Sequence, residues 1–354
     1  MSKLNIIHSI LKNKLGIPQY PAFVTYLVTW RCNARCIMCN VWKKEQKIAE
    51  ELTLPEIEGI FKQLKKINVL RITGGEPFLR QDLAEIINKI EKINSPELIH
   101  ITSNGILTEQ IIEIVKKIEC PEKIHIKISI DSIGKKHDEI RGITNAYDKA
   151  METVKRLVEL RGKTHLHVGV NQTIVEEKEI DSYSKLKKIL EPLKVPVYPV
   201  IATDTTGSLY NDEDTANPNN ATKTFTPFSK DGLKRFINEM LKDSKKMNNL
   251  EERIVDRYHL KGLYNRLVNN KNKPNPKCVA LNNHLRILPN GDIPVCLYNG
   301  NIVGNLKRTP FKDIWFGKDL KKYRTWVKNC QGCWFSCESA VSGIYTGDIW
   351  KGLL

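Results

Sequence analysis

Short runs rich in β-branched residues alternate with longer amphipathic stretches over residues 23–201, and this alternation constrains the fold more than any other feature. The predicted strands are about 23 to 30, 69 to 73, 98 to 102, 124 to 130, 165 to 171 and 195 to 201. The stretches between them carry apolar residues at helical spacing, as at Ile57, Ile60 and Phe61, and Pro55 suits the first turn of a helix. The pattern predicts an α/β fold, a partial (β/α)6 barrel with parallel strands and an active site at their carboxyl ends.

The chain divides into four predicted segments. Residues 1–22 form an N-terminal amphipathic helix, 23–203 form the barrel, 204–277 form a polar linker with a helical insertion, and 278–354 form a small cysteine-rich domain. We expect the first helix to dock its apolar stripe on the barrel, although a short membrane-surface helix explains the same pattern.

The composition is that of a globular protein. Of 354 residues, 41% are hydrophobic and 27% are charged, which excludes disordered and fibrous classes. No apolar run reaches the roughly 18 to 20 residues of a membrane span. The N-terminal residues lack the pattern of a secretory signal, so we expect a cytoplasmic protein. The net charge of +16 favours an acidic partner, but the lysines are scattered along helices, and we expect solvated helix faces rather than a nucleic-acid partner.

Eight of the nine cysteines fall into two groups, and Cys120 between them is interpreted as a structural thiol. A reducing compartment argues against a disulfide framework. In the first group, Cys32, Cys36 and Cys39 form a CxxxCxxC loop directly after the first strand. Three thiolates there can ligate three irons of a cubane cluster and leave the fourth iron open. Zinc is the alternative, but structural zinc takes four ligands and no histidine lies nearby in sequence.

Polar residues also stand at the carboxyl ends of the predicted strands that follow the first one, as the cysteine loop does after the first strand. The second strand ends in TGGEP, where Gly74 and Gly75 allow a close backbone approach to a ligand. Because the carboxyl ends of parallel strands meet at one edge, such residues are expected to converge on one site. The candidates are Gly74, Gly75, Glu76, Pro77, Asn104, Ser129, Asp131, Arg141 and Asn171.

The cysteine loop and the strand-end motifs together resemble the radical S-adenosylmethionine (SAM) superfamily. Met38 departs mildly from the pattern, which usually has an aromatic residue before the third cysteine. The resemblance implies that Cys32, Cys36 and Cys39 hold a catalytic 4Fe-4S cluster whose open iron binds SAM. One electron, from a donor such as flavodoxin or ferredoxin, then cleaves SAM to methionine and a 5'-deoxyadenosyl radical.

The resemblance also assigns SAM contacts. It implies that the TGGEP turn holds the amino group of SAM, that Ser129 and Arg141 contact its ribose and carboxylate, and that Asn171 lines the same pocket. A guanidinium suits a carboxylate because it donates two parallel hydrogen bonds.

The second cysteine group lies near the C-terminus. Its segment HLRILPNGDIPVC predicts a β-hairpin with a turn at Asn290 and Gly291. The group resembles the SPASM and twitch extensions of radical SAM enzymes, but it has five cysteines where a complete SPASM region has seven. The resemblance implies one auxiliary 4Fe-4S cluster, with Cys337 spare or alternative; a zinc ribbon is the other interpretation. The expected ligands are Cys278, Cys296, Cys330 and Cys333.

Three classes of function remain open at this stage. In the first class, the radical abstracts hydrogen from an unidentified small polar metabolite, with the auxiliary cluster assisting. In the second, the chain is a peptide maturase of the SPASM type. Only about 20 residues precede the barrel, too few for the peptide-binding domain that many such maturases carry, which disfavours this second class without excluding it. The third class is a non-enzymatic iron-sulfur or zinc protein that senses redox state or binds nucleic acid. The substrate, the fate of SAM, the oligomeric state and the role of 204–277 do not follow from the sequence.

Overall fold

Seven parallel strands form the main sheet in the computed structural model of the chain. The structure describes residues 3–45, 47–205, 208–209, 223–247 and 249–351. Of these, the side chains of residues 3–5, 336–337 and 351 are not described. Along the sheet the order is β6-β5-β4-β3-β2-β1-β7, and β8 pairs with β9 in a separate two-stranded sheet. The α/β fold and all six predicted strands are confirmed. The strands are β1 (Phe23–Leu27), β2 (Val69–Thr73), β3 (Leu98–Ser103), β4 (Ile124–Ser129), β5 (His167–Ile174), β6 (Val197–Ile201), β7 (His284–Ile287), β8 (Asp292–Cys296) and β9 (Asn299–Asn305).

Helices cover the outer face of this sheet. Outward-pointing isoleucines of β2, β3 and β4 pack against isoleucines of the helices in one large core, and each such burial stabilises the fold by about 1.5–3 kcal/mol. The first barrel helix begins as its sequence suggests, with Pro55 in the first turn and a capping box between Thr53 and Glu56. The helices are α1 (Lys3–Leu15), α2 (Leu54–Phe61), α3 (Leu83–Asn94), α4 (Thr108–Lys116), α5 (Lys135–Arg141), α6 (Ala146–Thr164), α7 (Ile180–Leu190), α8 (Lys230–Ser244), α9 (Leu250–Leu267), α10 (Phe311–Trp315), α11 (Leu320–Asn329), α12 (Ser336–Thr346) and α13 (Asp348–Lys351).

The predicted hairpin around Asn290 and Gly291 is wrong in its pairing. The turn exists, with Gly291 at φ +85° and a hydrogen bond from Leu288 N to Asp292 O. However, β7 pairs in parallel with β1, and β8 pairs with β9 instead. The open edge of β1 offers a full row of backbone partners, so the C-terminal region supplies the seventh strand of the barrel sheet.

Helices α8 and α9 form much of the segment 204–277. Most of the polar linker predicted at the start of this segment lies outside the described residues. The apolar residues of α8 and α9 pack on β5, β6 and α7, where Phe236 and Leu260 are buried beside Ile201. Helix α9 also contacts α12 and the Trp334 side chain. This helix therefore connects the β6 edge of the sheet to the C-terminal region.

The N-terminal helix α1 lies against α12 at the amino end of the strands. Asn13 Nδ2 donates to Tyr345 O (2.7 Å) and to Asn283 Oδ1 (2.6 Å). The expected docking is only partial, because Ile7 and Leu11 of the apolar stripe remain exposed. In the part of the chain that the structure describes, we found no helix with the length and apolarity needed to cross a membrane.

Candidate active site

The turn after β2 packs directly against the main chain that follows β1. Gly75 N donates to Thr29 O (2.8 Å), and Glu76 N donates to Arg31 O (2.7 Å). A Cβ at Gly74 would lie 2.2 Å from Thr29 O, and one at Gly75 would lie 2.1 Å from Arg31 O, so only glycine fits. The glycines were expected to allow close approach of a ligand. Their missing side chains leave room for the main chain that leads into the first cysteine loop, and their contact with a ligand stays a prediction.

The three cysteines of the first group lie in one small apolar cluster at the carboxyl end of β1. Cys36 is buried, whereas Cys32 and Cys39 are half-buried. Ala34 N donates to Cys32 Sγ (3.4 Å), and Arg141 Nη1 lies 3.6 Å from Cys36 Sγ. Burial raises the pKa of Cys32 to about 12 and also raises the pKa of Cys39. Hydrogen-bond donors and a cation beside sulfur favour the thiolate, which is the form that binds iron.

The donor set of this loop fits a cluster better than a single metal ion. Zinc holds its four ligands at about 2.0–2.3 Å, so its ligands must converge on one point. Among the described residues, no three His, Cys, Asp or Glu side chains converge in that way. Three thiols on one short loop suit separate irons of a 4Fe-4S cubane and leave the fourth iron open. Met38 packs as an apolar residue against the same cluster.

Glu76 ties the strand ends together from a fully buried position. Its carboxylate accepts hydrogen bonds from Asn104 N (2.7 Å), Ser103 Oγ (2.9 Å) and Phe78 N (3.2 Å). Burial raises the pKa of Glu76 to about 7, against these hydrogen bonds, which lower it. Asn104 Nδ2 in turn donates to Asn33 Oδ1 (2.7 Å) in the cysteine loop. The predicted residues Glu76 and Asn104 therefore position each other and the loop.

Asp131 and Arg141 form a buried ion pair behind the cysteines. Arg141 Nε lies 2.7 Å from Asp131 Oδ2, and Asp131 Oδ1 accepts from Thr173 N (3.0 Å). Burial raises the pKa of Asp131, and the Arg141 charge opposes that rise. Asp131 N donates to Nδ1 of the buried His137, whose pKa burial lowers to about 3, so this ring is neutral. Arg141 thus brings a positive charge to Cys36 and is itself held by Asp131.

The remaining predicted SAM residues lie at the same edge of the sheet. Ser129 is the last residue of β4, and its register partner in β5 is Asn171, whose carbonyl accepts from Ile130 N (2.9 Å). Pro77 is buried and begins a short 3-10 turn after β2. The structure brings these residues and the first cysteine group to the carboxyl ends of neighbouring strands. Their contacts with SAM remain predictions.

Four cysteines of the second group line one largely apolar cavity. Its walls also include Trp326, Tyr298 and Gly332. Burial raises the pKa of the Cys296 thiol to about 12 and raises that of Cys278. No disulfide joins any of the eight cysteines whose side chains the structure describes, and the side chain of Cys337 lies outside that set. The cysteines around the cavity are Cys278, Cys296, Cys330 and Cys333.

Glu338 links this cavity to the barrel and was missed from the sequence. It is buried at the start of α12, accepts from Arg286 Nη2 (2.6 Å) and lies 3.1 Å from His284 Nδ1. Burial alone would raise the pKa of Glu338, but His284 and Arg286 outweigh it and hold that pKa far below its usual range. Both partners are residues of β7. In the sequence of β7, HLRI, the polar residues His284 and Arg286 alternate with apolar ones. This alternation predicts that both polar side chains lie on the same face of the strand.

Other polar residues on the inner face of the sheet were also missed. In β4 (IHIKIS), isoleucine occupies every second position before Ser129, and the residues between are His125 and Lys127; in β3 (LIHITS), His100 lies between Ile99 and Ile101. The isoleucines face the helices, so His100, His125 and Lys127 face the inside of the barrel. Such alternation indicates a strand, and it also predicts that the inside of the barrel is polar.

Two family models match the chain. The radical SAM superfamily matches residues 26–182, which contain the first cysteine group and the strand-end motifs. An iron-sulfur cluster-binding domain, SPASM, matches residues 278–334, and Cys337 lies beyond that match. The second match contains the four cysteines that line the C-terminal cavity.

Curated relatives match about half of the chain. The GTP 3',8-cyclase of Clostridium botulinum is 31% identical over 175 residues, which cover 46% of this chain and 51% of that protein. The probable GTP 3',8-cyclase of Archaeoglobus fulgidus is 31% identical over 199 residues, which cover 51% of this chain and 64% of that protein. The chain therefore spans about half the length of the first of these relatives.

Solved structures share the fold over most of the chain. Streptococcus suis SuiB bound to S-adenosylmethionine matches with a TM-score of 0.61 at 17% identity, covering 87% of this chain and 68% of SuiB. The structure of anSMEcpe with AdoMet and the Cp18Cys peptide matches with a TM-score of 0.58 at 15% identity, covering 94% and 95%. At these identities the likeness concerns the fold alone. With both cysteine groups inside the matched regions, the chain contains a radical SAM domain over residues 26–182 and a C-terminal SPASM-type iron-sulfur cluster-binding domain over residues 278–334.

Proposed function

We propose that this protein cleaves SAM reductively and abstracts a hydrogen atom from a small polar metabolite. A 4Fe-4S cluster bound to Cys32, Cys36 and Cys39 would pass one electron to the sulfonium of SAM, which gives methionine and a 5'-deoxyadenosyl radical. A flavodoxin or ferredoxin is the proposed source of that electron. Transfer of a hydrogen atom from the substrate then gives 5'-deoxyadenosine and a substrate radical.

One observation carries this proposal: the cysteine loop and the TGGEP turn are joined through their main chains. The hydrogen bonds from Gly75 N to Thr29 O and from Glu76 N to Arg31 O hold the turn beside the loop. A ligand that contacts both would be fixed relative to the cluster, as radical transfer over a short distance requires. Ser129 and Asn171, on the neighbouring strands, are proposed to line the adenosine side of the same site.

Arg141 is proposed to stabilise negative charge at the site. Its guanidinium is buried between Asp131 and Cys36. Asp131 contacts its Nε atom, and Nη1 lies beside the Cys36 thiol. A buried cation strengthens every interaction with an anion because the local dielectric is low. We therefore assign Arg141 to the thiolates and to the carboxylate of bound SAM, with Asp131 as the residue that positions it.

The C-terminal cavity is proposed to hold one auxiliary 4Fe-4S cluster. Four thiols suffice for a closed cluster, and Cys278, Cys296, Cys330 and Cys333 line the same cavity. The cluster would accept the electron left on the substrate radical or anchor the substrate. Glu338 at the cavity wall reaches Arg286 and His284 of β7, so the cavity and the barrel sheet share one hydrogen-bonded network.

A small substrate is favoured over a peptide. Relatives at 31% identity are named for an activity on GTP, a small molecule, whereas the structures solved with peptides share only the fold. The polar inner face of the sheet, described below, also suits a small polar molecule. Peptide modification is the second candidate.

Anaerobic reconstitution with iron and sulfide tests the proposal. About eight irons per chain, together with 5'-deoxyadenosine after addition of SAM and dithionite, would support a radical SAM enzyme with one auxiliary cluster. About four irons with 5'-deoxyadenosine would retain the SAM chemistry and remove the auxiliary cluster. Bound zinc and no SAM cleavage would overturn the proposal.

A further inference from the structure

The middle of the barrel interior carries a row of polar side chains below the proposed SAM site. Arg71 on β2 is the register partner of His100 on β3, and His100 is the partner of His125 on β4. Lys127 follows two residues later on β4, on the same face. The rings of His100 and His125 lie 5.4 Å apart, edge to face. All four residues are half-buried rather than fully enclosed in the core.

Two of these side chains carry positive charge at neutral pH. Burial lowers the pKa of His125 to about 4 and lowers that of His100, so both rings are neutral. Burial, together with the charge of Arg71, lowers the pKa of Lys127 to about 8. Arg71 and Lys127 are therefore close enough to repel each other, and each neutral imidazole adds an N–H donor beside them.

Neither cation has a close acidic partner in the described part of the chain. The contacts found for them are with ring faces: Lys127 Nζ lies 3.7 Å from the centre of the Tyr198 ring, and Arg71 Cζ lies 4.9 Å from that of Phe23. The other inward-facing arginine behaves differently, since Arg286 is paired with a carboxylate at 2.6 Å. Two like charges held together with no counter-ion are unfavourable unless a ligand neutralises them.

Acidic residues of α9 approach this pair only at longer range. Glu252 and Asp256 raise the pKa of Lys127, but neither forms an ion pair with it within 4.0 Å. Burial raises the pKa of Asp256 to about 6. These carboxylates would compete with an anionic ligand for Lys127, which makes Asp256 a useful test position.

We propose that the inner face around Arg71 and Lys127 is the substrate subsite and binds the oxyanion of a small anionic metabolite, a phosphate or a carboxylate. The inference rests on the proposed function and specifies its substrate class. Arg71 and Lys127 each precede the last residue of their strand by two positions, which is roughly 7 Å at about 3.3 Å per residue. An anion held there leaves the rest of the molecule extended toward the strand ends, where the SAM residues lie.

Calorimetry on the reconstituted protein tests the subsite with two probes, inorganic pyrophosphate and succinate, at up to millimolar concentration. We expect the wild type to bind at least one of them, and the preferred probe distinguishes a phosphate from a carboxylate substrate. Arg71→Gln and Lys127→Gln should each weaken binding by roughly ten-fold or more, as loss of a charged hydrogen bond does. Lys127→Arg should retain binding, and Asp256→Asn should strengthen it.

Lys116→Gln, on the exposed face of α4, is the matched control and should bind like the wild type. Circular dichroism and iron content show whether each variant folds, and Lys127→Arg provides a second variant at the same position. The proposal is overturned if the wild type binds neither probe, or if folded Arg71→Gln and Lys127→Gln bind as tightly as the wild type. Formation of 5'-deoxyadenosine by the wild-type preparation tests the proposed function separately, since it needs neither probe.

Discussion

Cys36 is the most buried of the three cysteines that follow β1, and Arg141 lies beside its thiol. We expect Cys36→Ala to abolish 5'-deoxyadenosine formation and to lower the iron content from about eight to about four per chain, because the first cluster loses a ligand. Iron analysis and chromatography after addition of SAM and dithionite measure both effects. Cys120→Ala, at a buried thiol in the apolar core, is the control and should keep all the iron. Undiminished SAM cleavage by Cys36→Ala would refute the ligand assignment.

The Asp131–Arg141 pair is a buried charge interaction beside the first cysteine group. Asp131→Asn would leave the Arg141 guanidinium buried without its counter-charge, and breaking such a pair costs about 3–5 kcal/mol. Urea denaturation should show this loss as a lower midpoint. Glu109→Gln, which breaks an exposed pair with Arg156, should leave the midpoint unchanged because solvent screens that pair. Equal midpoints for the two variants would contradict the assignment.

At the scale of elements, the contact between the β2 turn and the chain after β1 allows no side chain. Gly75→Ala would place a methyl carbon 2.1 Å from Arg31 O, so the turn and the cysteine loop must separate. We expect at least a roughly ten-fold loss of SAM cleavage, as a displacement of about 1 Å produces. Gly59→Ala, on the open face of α2, should instead raise the unfolding free energy by about 0.5–1 kcal/mol. Full activity in folded Gly75→Ala would show that the contact is not needed.

The α9 helix meets the second cysteine group through Trp334. A Cβ at Gly262 would lie 1.9 Å from the Trp334 ring, which stacks on the Arg266 guanidinium at 3.8 Å. Because Trp334 follows Cys333 directly, Gly262→Ala should displace this proposed ligand and, if the auxiliary cluster is present as proposed, lower the iron content from about eight to about four, with the first cluster retained. Gly162→Ala in α6, where nothing lies within 4 Å, is the matched control. Full iron occupancy in Gly262→Ala would exclude this coupling.

Proton uptake on unfolding is a property of the whole molecule, and His137 contributes to it measurably. Burial lowers its pKa from 6.5 to about 3, so the unfolded chain binds the proton first as the pH falls. Acidification from pH 6.5 toward 3 therefore favours unfolding, by about 1.4 kcal/mol per pH unit for one proton. Denaturation of His137→Gln between about pH 4 and 5.5, where the unfolded ring is protonated and the folded ring is not, should show a slope smaller by roughly that amount. A His137→Gln slope equal to the wild type would contradict the prediction.

The C-terminal region is part of the barrel rather than an appendage. It supplies β7 to the main sheet, Glu338 to the β7 network, and Tyr345, whose hydroxyl accepts from Asn68 Nδ2 (3.1 Å) just before β2. These contacts join residues more than 50 positions apart in the chain. The second cysteine group is consequently held in a fixed relation to the strands that carry the first.

Local patterns in the sequence were sufficient for the strands and for the order of the motifs. Alternation between β-branched runs and helical spacing is set within a few residues, so β1 to β6 and the position of Cys32 after β1 followed directly. The proposed binding of a 4Fe-4S cluster by Cys32, Cys36 and Cys39 also depends on the spacing of three cysteines along one short loop, and this spacing is visible in the sequence.

Only the tertiary structure decided which distant groups meet. The Asn290–Gly291 turn is a local signal, but the pairing of β7 depends on the free edge of β1, more than 250 residues earlier. The pairing of Arg141 with Asp131, and of Arg286 with Glu338, likewise depends on how strands and helices pack. Burial lowers the pKa of His125 and of Lys127, and burial is a property of the folded interior that no short stretch of sequence contains.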